Sequence, residues 1–245
     1  MPRYRLLIEY HGGPYQGWMK LPGKPTVQAA LEEAASKLDG RPVEVFGAGR
    51  TDSGVHATGQ VAHMDLVTDR GGKVADAMNF HLRPHPIAVL AAEGVNDGFH
   101  ARFSATQRHY RYVVVNRRAD LALERGLAWR VPSKLSAGKM HEAAQAFIGT
   151  HDFSTFRDAD CQAASPVKTL NEFKVWRDGE HVIFTCRAQS FIHRQVRSMV
   201  GSLVEVGRGR HPVSWAKDIL DAADRTECGP IAPADGLYLT QVDYD

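Results

Sequence analysis

The segment Gly47-Ala48-Gly49-Arg50-Thr51-Asp52-Ser53-Gly54-Val55-His56 brings a carboxylate, a guanidinium and three glycines into ten residues. No Gly-Lys-Ser/Thr follows at the spacing of a phosphate-binding P-loop, an acid at Asp52 is misplaced for cradling phosphate, and the dinucleotide-binding glycine spacing is absent. The pattern instead delivers a carboxylate on a tightly turned loop, where glycines permit close backbone approach. Arg50, two residues before Asp52, favours the ionised acid, and an ionised carboxylate can serve as nucleophile or base. The same residues also suit a plain turn, in which Asp caps the backbone. A metal-dependent phosphodiesterase built on Asp52, His56 and His63 is a third reading, although their spacing fits no helix-face ligand pair.

The charge distribution points to a polyanionic partner. The 245 residues carry a formal charge of only +2, which as a total argues against one. Residues 101 to 130, however, hold seven Arg against Asp120 and Glu124, a local +5. Residues 187 to 210 hold Arg187, Arg194, Arg197, Arg208 and Arg210 against Glu205, a local +4, so the remainder of the chain is at −7. Neither stretch contains lysine, and the planar guanidinium fork suits bidentate phosphate contacts and stacking. Salt bridges on a solvated face are the alternative. Interleaved Phe103, Tyr110, Tyr112 and Phe191 favour RNA.

Several elements must position these residues. Tyr4 to Tyr10 alternates as a strand and runs into His11-Gly12-Gly13-Pro14. Thr26 caps a helix carrying Val27, Ala30, Leu31, Ala34 and Leu38, which Gly40 ends. Val43 to Phe46 is expected to be a short strand entering the glycine loop, followed by strands at Gln60 to Leu66 and Ile87 to Ala92. Arg108 to Asn116 reads as a strand, Lys139 to Ile148 as a helix, and Phe173 to Cys186 as a hairpin turning at Asp178-Gly179. Val196, Met199, Val200, Leu203 and Val204 form one helical stripe, and Ser214 is expected to cap another helix with Trp215, Ile219 and Leu220. Strand, helix and strands thus occur twice, predicting an α+β chain of two similar halves, residues 1–100 and 101–245. Cys161, Cys186 and Cys228 fit neither a disulfide framework nor a Cys-x-x-Cys metal pattern and are expected to be buried free thiols. With no apolar run of membrane length and no signal-peptide start at Met1-Pro2-Arg3, the chain is expected to be soluble and cytoplasmic.

GRTDSGVHATGQV (49–61) closely resembles the active-site loop of the TruA-type tRNA pseudouridine synthases. EYHGGPYQGW (9–18), FHARFSATQRHYRY (99–112), FIHRQVRSMVGSLVEVG (191–207) and GLYL (236–239) resemble further family segments in the same order, so the resemblance covers almost the whole chain. It implies a pseudouridine synthase fold with a largely antiparallel mixed sheet around a central basic cleft. It implies a homodimer that isomerises uridines 38, 39 and 40 of the tRNA anticodon stem-loop with no cofactor and no metal. By the same resemblance Asp52 is the catalytic carboxylate, Arg50 belongs to its loop, Arg197 pairs with Asp52, and Tyr110 stacks on the flipped target base. Ser53 stands where the family pattern leads us to expect Ala. A non-catalytic RNA-binding protein is the remaining rival, for which an intact Asp, Arg and Tyr set would be hard to explain.

Overall fold

Alternation along Tyr4, Leu6, Ile8 and Tyr10 buries one face of the first strand almost completely, and this face begins the core of the first half. The computed structural model describes residues 1–245. In chain order the elements are β1 (Arg3–Tyr10), α1 (Val27–Asp39), β2 (Phe46–Gly47), β3 (His56–Asp65), α2 (Val74–Leu82), β4 (Ile87–Val95), β5 (Ala105–Val115), β6 (Trp129–Arg130), α3 (Ala137–Ala144), β7 (Gly149–Asp152), β8 (Val167–Asp178), β9 (His181–Ala188), α4 (Gln195–Gly207), α5 (Trp215–Ala222) and β10 (Leu237–Tyr244). The fold is α+β with a mixed, mostly antiparallel strand pattern. Two compact units emerge, Met1–Arg108 with Tyr238–Asp245, and His109–Leu237.

In the first unit β1 lies between β3 and β4, antiparallel to both, with Leu6 opposite Ala62 and Ala92. β3 also takes the short β2 antiparallel, at Phe46 opposite His63, and β10 parallel, at Tyr238 opposite His56. Helices α1 and α2 pack on each other, and α2 packs on β4. The Thr26 hydroxyl accepts from the Ala29 amide and Gly40 closes α1 in the left-handed region at φ 76°, as the sequence predicts. The strand expected at Val43 to Phe46 is only Phe46–Gly47. Val43 and Val45 are buried there, but their amides bond the Ser36 hydroxyl and the Glu32 carboxylate of α1 rather than a neighbouring strand.

The second unit orders its strands β5, β9, β8, β7, with β6 parallel to β5. The β8–β9 hairpin pairs Asp178 with His181, and Gly179 turns it at φ 56°. Helix α3 packs on β8 and α4, and α4 packs on α5. Phe147, Phe153, Phe156, Phe173 and Phe184 fill the core. The helix expected at Lys139 to Ile148 begins two residues earlier and tightens into a 3-10 turn at Gln145–Phe147. Ser214 does not cap α5 with its side chain: its own backbone is helical, and its carbonyl accepts from the Lys217 and Asp218 amides. All three cysteines are free, yet only Cys186 is buried. No helix is long and apolar enough to cross a membrane.

His63 on β3 shows how burial couples to charge. Its Nδ1 accepts from the Ala101 amide at 3.2 Å, and burial, aided by His100 and Arg3, lowers its pKa from 6.5 to about 4. Between those values the unfolded chain binds a proton that the folded chain does not, so stability must fall as pH drops from 6.5 toward 4. Thermal melts over that range should show a shallower fall for His63→Gln, which keeps an acceptor for Ala101, than for the wild type; parallel curves would contradict the assignment.

Candidate active site

The loop from Gly47 to Val55 is fixed from three directions. From β3, the Gln60 side chain grips Gly49 twice, donating to its carbonyl at 2.8 Å and accepting from its amide at 3.2 Å. From the end of β1, the Tyr10 hydroxyl lies 2.8 Å from the Thr51 hydroxyl and accepts from Gln60 at 3.5 Å. Burial pushes the Tyr10 phenol well above its ordinary pKa, so it remains neutral and able to donate. The third support is the 11–18 segment: the Trp18 amide donates to the Thr51 carbonyl at 3.0 Å, while the Gly54 amide and Ser53 hydroxyl both donate to the Tyr15 carbonyl.

Thr51 is buried, Val55 is buried, and Asp52 between them is half-exposed. The Asp52 carbonyl accepts from the Val55 amide at 3.1 Å, closing a turn in which Gly54 has φ 80°. Asp52 thus sits half-exposed on a turn whose flanks are locked in the core. Arg50 is exposed. His56 and His63, which a metal reading would recruit beside Asp52, each use Nδ1 to accept a backbone amide, from Gly12 and Ala101 respectively.

In the second unit Tyr110 sits half-buried on β5 with its ring edge-on to Phe191, centroids 5.2 Å apart. Arg197 lies on the first turn of α4, half-exposed, and is tethered to one residue twice. Its Nε donates to the Ala232 carbonyl at 2.8 Å, and its own carbonyl accepts from the Ala232 amide at 3.1 Å. Helix α4 is buried along almost its whole length, and Gly201 admits the Pro230 carbonyl where a Cβ would stand 1.7 Å from it. Arg194, before the helix, holds the buried Asp158 at 2.8 Å.

Two readings of the basic and aromatic residues require correction. Tyr112 is not available for RNA: it is buried, and its hydroxyl donates to the Pro233 carbonyl at 2.7 Å. Nor do all twelve Arg face phosphate. Arg108 is buried and donates to the carbonyls of Ala48, Arg102 and Ala105. Arg208 and Arg210 both clamp the buried Glu205, while Arg117 pairs with Glu180 and Arg130 with Asp120. The sequence reading also missed Tyr10 and Gln60 as supports of the loop; the one available signal was an amide side chain in the otherwise apolar run from Gln60 to Ala62.

A family model described as tRNA pseudouridine synthase matches residues 7–104 and 143–245. Curated relatives called tRNA pseudouridine synthase A are similar over the full chain. That of Hyphomonas neptunium is 74% identical, covering 100% of this chain and 99% of the relative. That of Maricaulis maris is 63% identical, covering 100% and 98%, and that of Xanthobacter autotrophicus 60%, covering 100% of both. The fold is thus that of a pseudouridine synthase. The chain belongs to the tRNA pseudouridine synthase family, and it is an isomerase acting on uridine in tRNA.

Gly17 tests the loop architecture. At φ 92° it would place a Cβ 2.7 Å from the Thr51 carbonyl and 3.1 Å from the Asp52 backbone. Gly17→Ala should therefore cost roughly 1–3 kcal/mol and lower the melting temperature by several degrees, together with a loss of activity. A variant as stable and active as the wild type would show that the loop does not depend on this contact.

Proposed function

We propose that the enzyme converts uridine to pseudouridine at positions 38, 39 and 40 of the tRNA anticodon stem-loop, with Asp52 as the catalytic carboxylate. One observation carries this reading: Asp52 is presented half-exposed from a turn whose neighbours Thr51 and Val55 are buried. The reaction breaks the C1′–N1 bond and joins C1′ to C5; N1 gains a proton and C5 loses one. Nothing is oxidised and no atom leaves, so the chemistry calls for no cofactor or metal. Asp52 acts by attacking C1′, by removing the C2′ proton to give a glycal, or by adding to C6.

A paired or stacked uridine must first leave the helix, at a cost of a few kcal/mol, and be gripped once flipped. Tyr110 is assigned the stacking role; what supports it is a half-exposed ring steadied edge-on by Phe191. Arg197 is assigned the role of keeping Asp52 ionised as RNA excludes water, which its double tether to Ala232 suits. Arg50, exposed beside Asp52, is assigned to the RNA side of the same loop. In this reading residues 1–100 carry the catalytic loop and residues 101–245 complete the active site and RNA contacts. The working enzyme is a cytoplasmic homodimer.

Incubating unmodified tRNA with the purified enzyme in EDTA, then mapping pseudouridine chemically, tests activity, position and metal independence together. Product at 38 to 40 is expected, and chelator-sensitive activity would favour the metal reading. Asp52→Asn should lower turnover by at least about 10³-fold with tRNA binding retained, and wild-type turnover would remove Asp52 from the chemistry. Tyr110→Phe should keep tRNA affinity, whereas Tyr110→Ala should weaken it by about 5- to 100-fold. Equal losses in both variants would refute stacking.

A further inference from the structure

Phe103 is 75% exposed, a large apolar surface to leave in water. It is not on a floppy loop. The turn His100–Ser104 is closed by the Ser104 amide on the His100 carbonyl at 2.9 Å and by the His100 amide on the Ser104 hydroxyl at 3.0 Å. His100 Nδ1 accepts from the Arg102 amide at 3.1 Å and the Phe103 amide at 3.4 Å. Below the turn, the buried Arg108 guanidinium joins the Arg102 carbonyl to the Ala48 carbonyl in the Asp52 loop.

The ring belongs to a run of aromatic side chains. His100 lies 4.4 Å from Phe103 and 4.5 Å from His63; His63 stacks on Phe46 at 5.1 Å, and Phe46 is itself 43% exposed. Both histidines are held neutral by their surroundings, so the π surface carries no charge of its own. Positive charge comes from the exposed Arg102, 5.4 Å from the Phe103 ring centre. A single exposed ring on a surface is ordinary. An exposed ring fixed by four hydrogen bonds, beside an exposed guanidinium and at the start of the +5 stretch, has the composition of a nucleobase-stacking platform.

We propose that Phe103, backed by His100 and assisted by Arg102, stacks an unpaired base of the RNA substrate other than the target uridine. The platform and the start of the loop lie at the His63 end of β3, whereas Asp52 lies toward the His56 end, its carbonyl bonded to the Val55 amide. Seven strand residues, about 20 Å, separate those ends, too far to share one nucleotide. Arg102 takes the adjoining phosphate. A protein partner is disfavoured because the ring stands beside a cation instead of within a broad apolar patch. The inference rests on the enzyme binding tRNA as proposed above.

The test measures the Kd for unmodified tRNA, and the solution mass, of wild type, Phe103→Ala, Phe103→Leu and Phe103→Trp. Stacking predicts losses of about 5- to 100-fold for both Ala and Leu, wild-type affinity for Trp, and one mass for all four. Wild-type affinity in the Leu or Ala variant would overturn the platform, as would a lowered mass in the Ala variant, which would assign the face to contact between copies of the chain. If the wild-type protein itself does not bind tRNA, the functional reading above fails first.

Discussion

Everything at the Asp52 loop depends on how closely two stretches of backbone approach. A Cβ on Gly12 would stand 2.0 Å from the Val55 carbonyl oxygen, and one on Gly17 would stand 2.7 Å from that of Thr51. No side chain fits either gap, so the 11–18 segment lies directly against the 51–55 turn, backbone to backbone. That contact lets Tyr15 and Trp18 reach the turn with main-chain hydrogen bonds, and it brings His56 Nδ1 to the Gly12 amide. Tyr10 and Gln60 complete the mould from the two central strands. Under the proposed mechanism, in which a carboxylate acts on a flipped base, such a fixed geometry matters because near-attack positioning is the principal help the protein can give.

Internal pairing reshapes the meaning of the basic stretches. Glu205 and Asp158 are each more than nine-tenths buried, and each is met by arginines: Arg208 and Arg210 for the first, Arg194 for the second. A buried carboxylate without such partners would carry a desolvation penalty of several kcal/mol, so these guanidinium groups are committed to the fold. Arg108 is committed more deeply still, to three carbonyl oxygens. Charge counted along a sequence measures capacity for phosphate contacts only after such pairs are subtracted. Arg102, on its exposed turn, belongs to the remainder.

What was legible in the sequence followed locality. Helix α1 was readable because its cap, apolar stripe and terminating glycine lie within fifteen residues of one another, and β1 because alternation is a property of the strand itself. Asp52 stood out because glycines crowd around it. The pairing of β10 with β3 was not legible, since it joins residues about 180 positions apart through only two partner pairs. Neither was the truncation of the expected Val43 to Phe46 strand, whose amides are diverted by Glu32 and Ser36, side chains a turn and more away on a helix. Ser214 failed as a cap because a serine before an apolar helix can itself be helical.

Gln60 shows the same limit at the site itself. As a residue type it marks nothing, and in β3 it is one polar position among buried neighbours. Its role follows from geometry, because a primary amide is one of the few side chains able to donate and accept at once toward a single peptide unit. With no water in reach of a fully buried side chain, both of its functions must find partners inside the protein, and Gly49 and Tyr10 are those partners. The requirement to satisfy a buried amide therefore fixes the backbone three residues before Asp52. A buried polar group that would be costly unpaired is what holds the Asp52 loop in register.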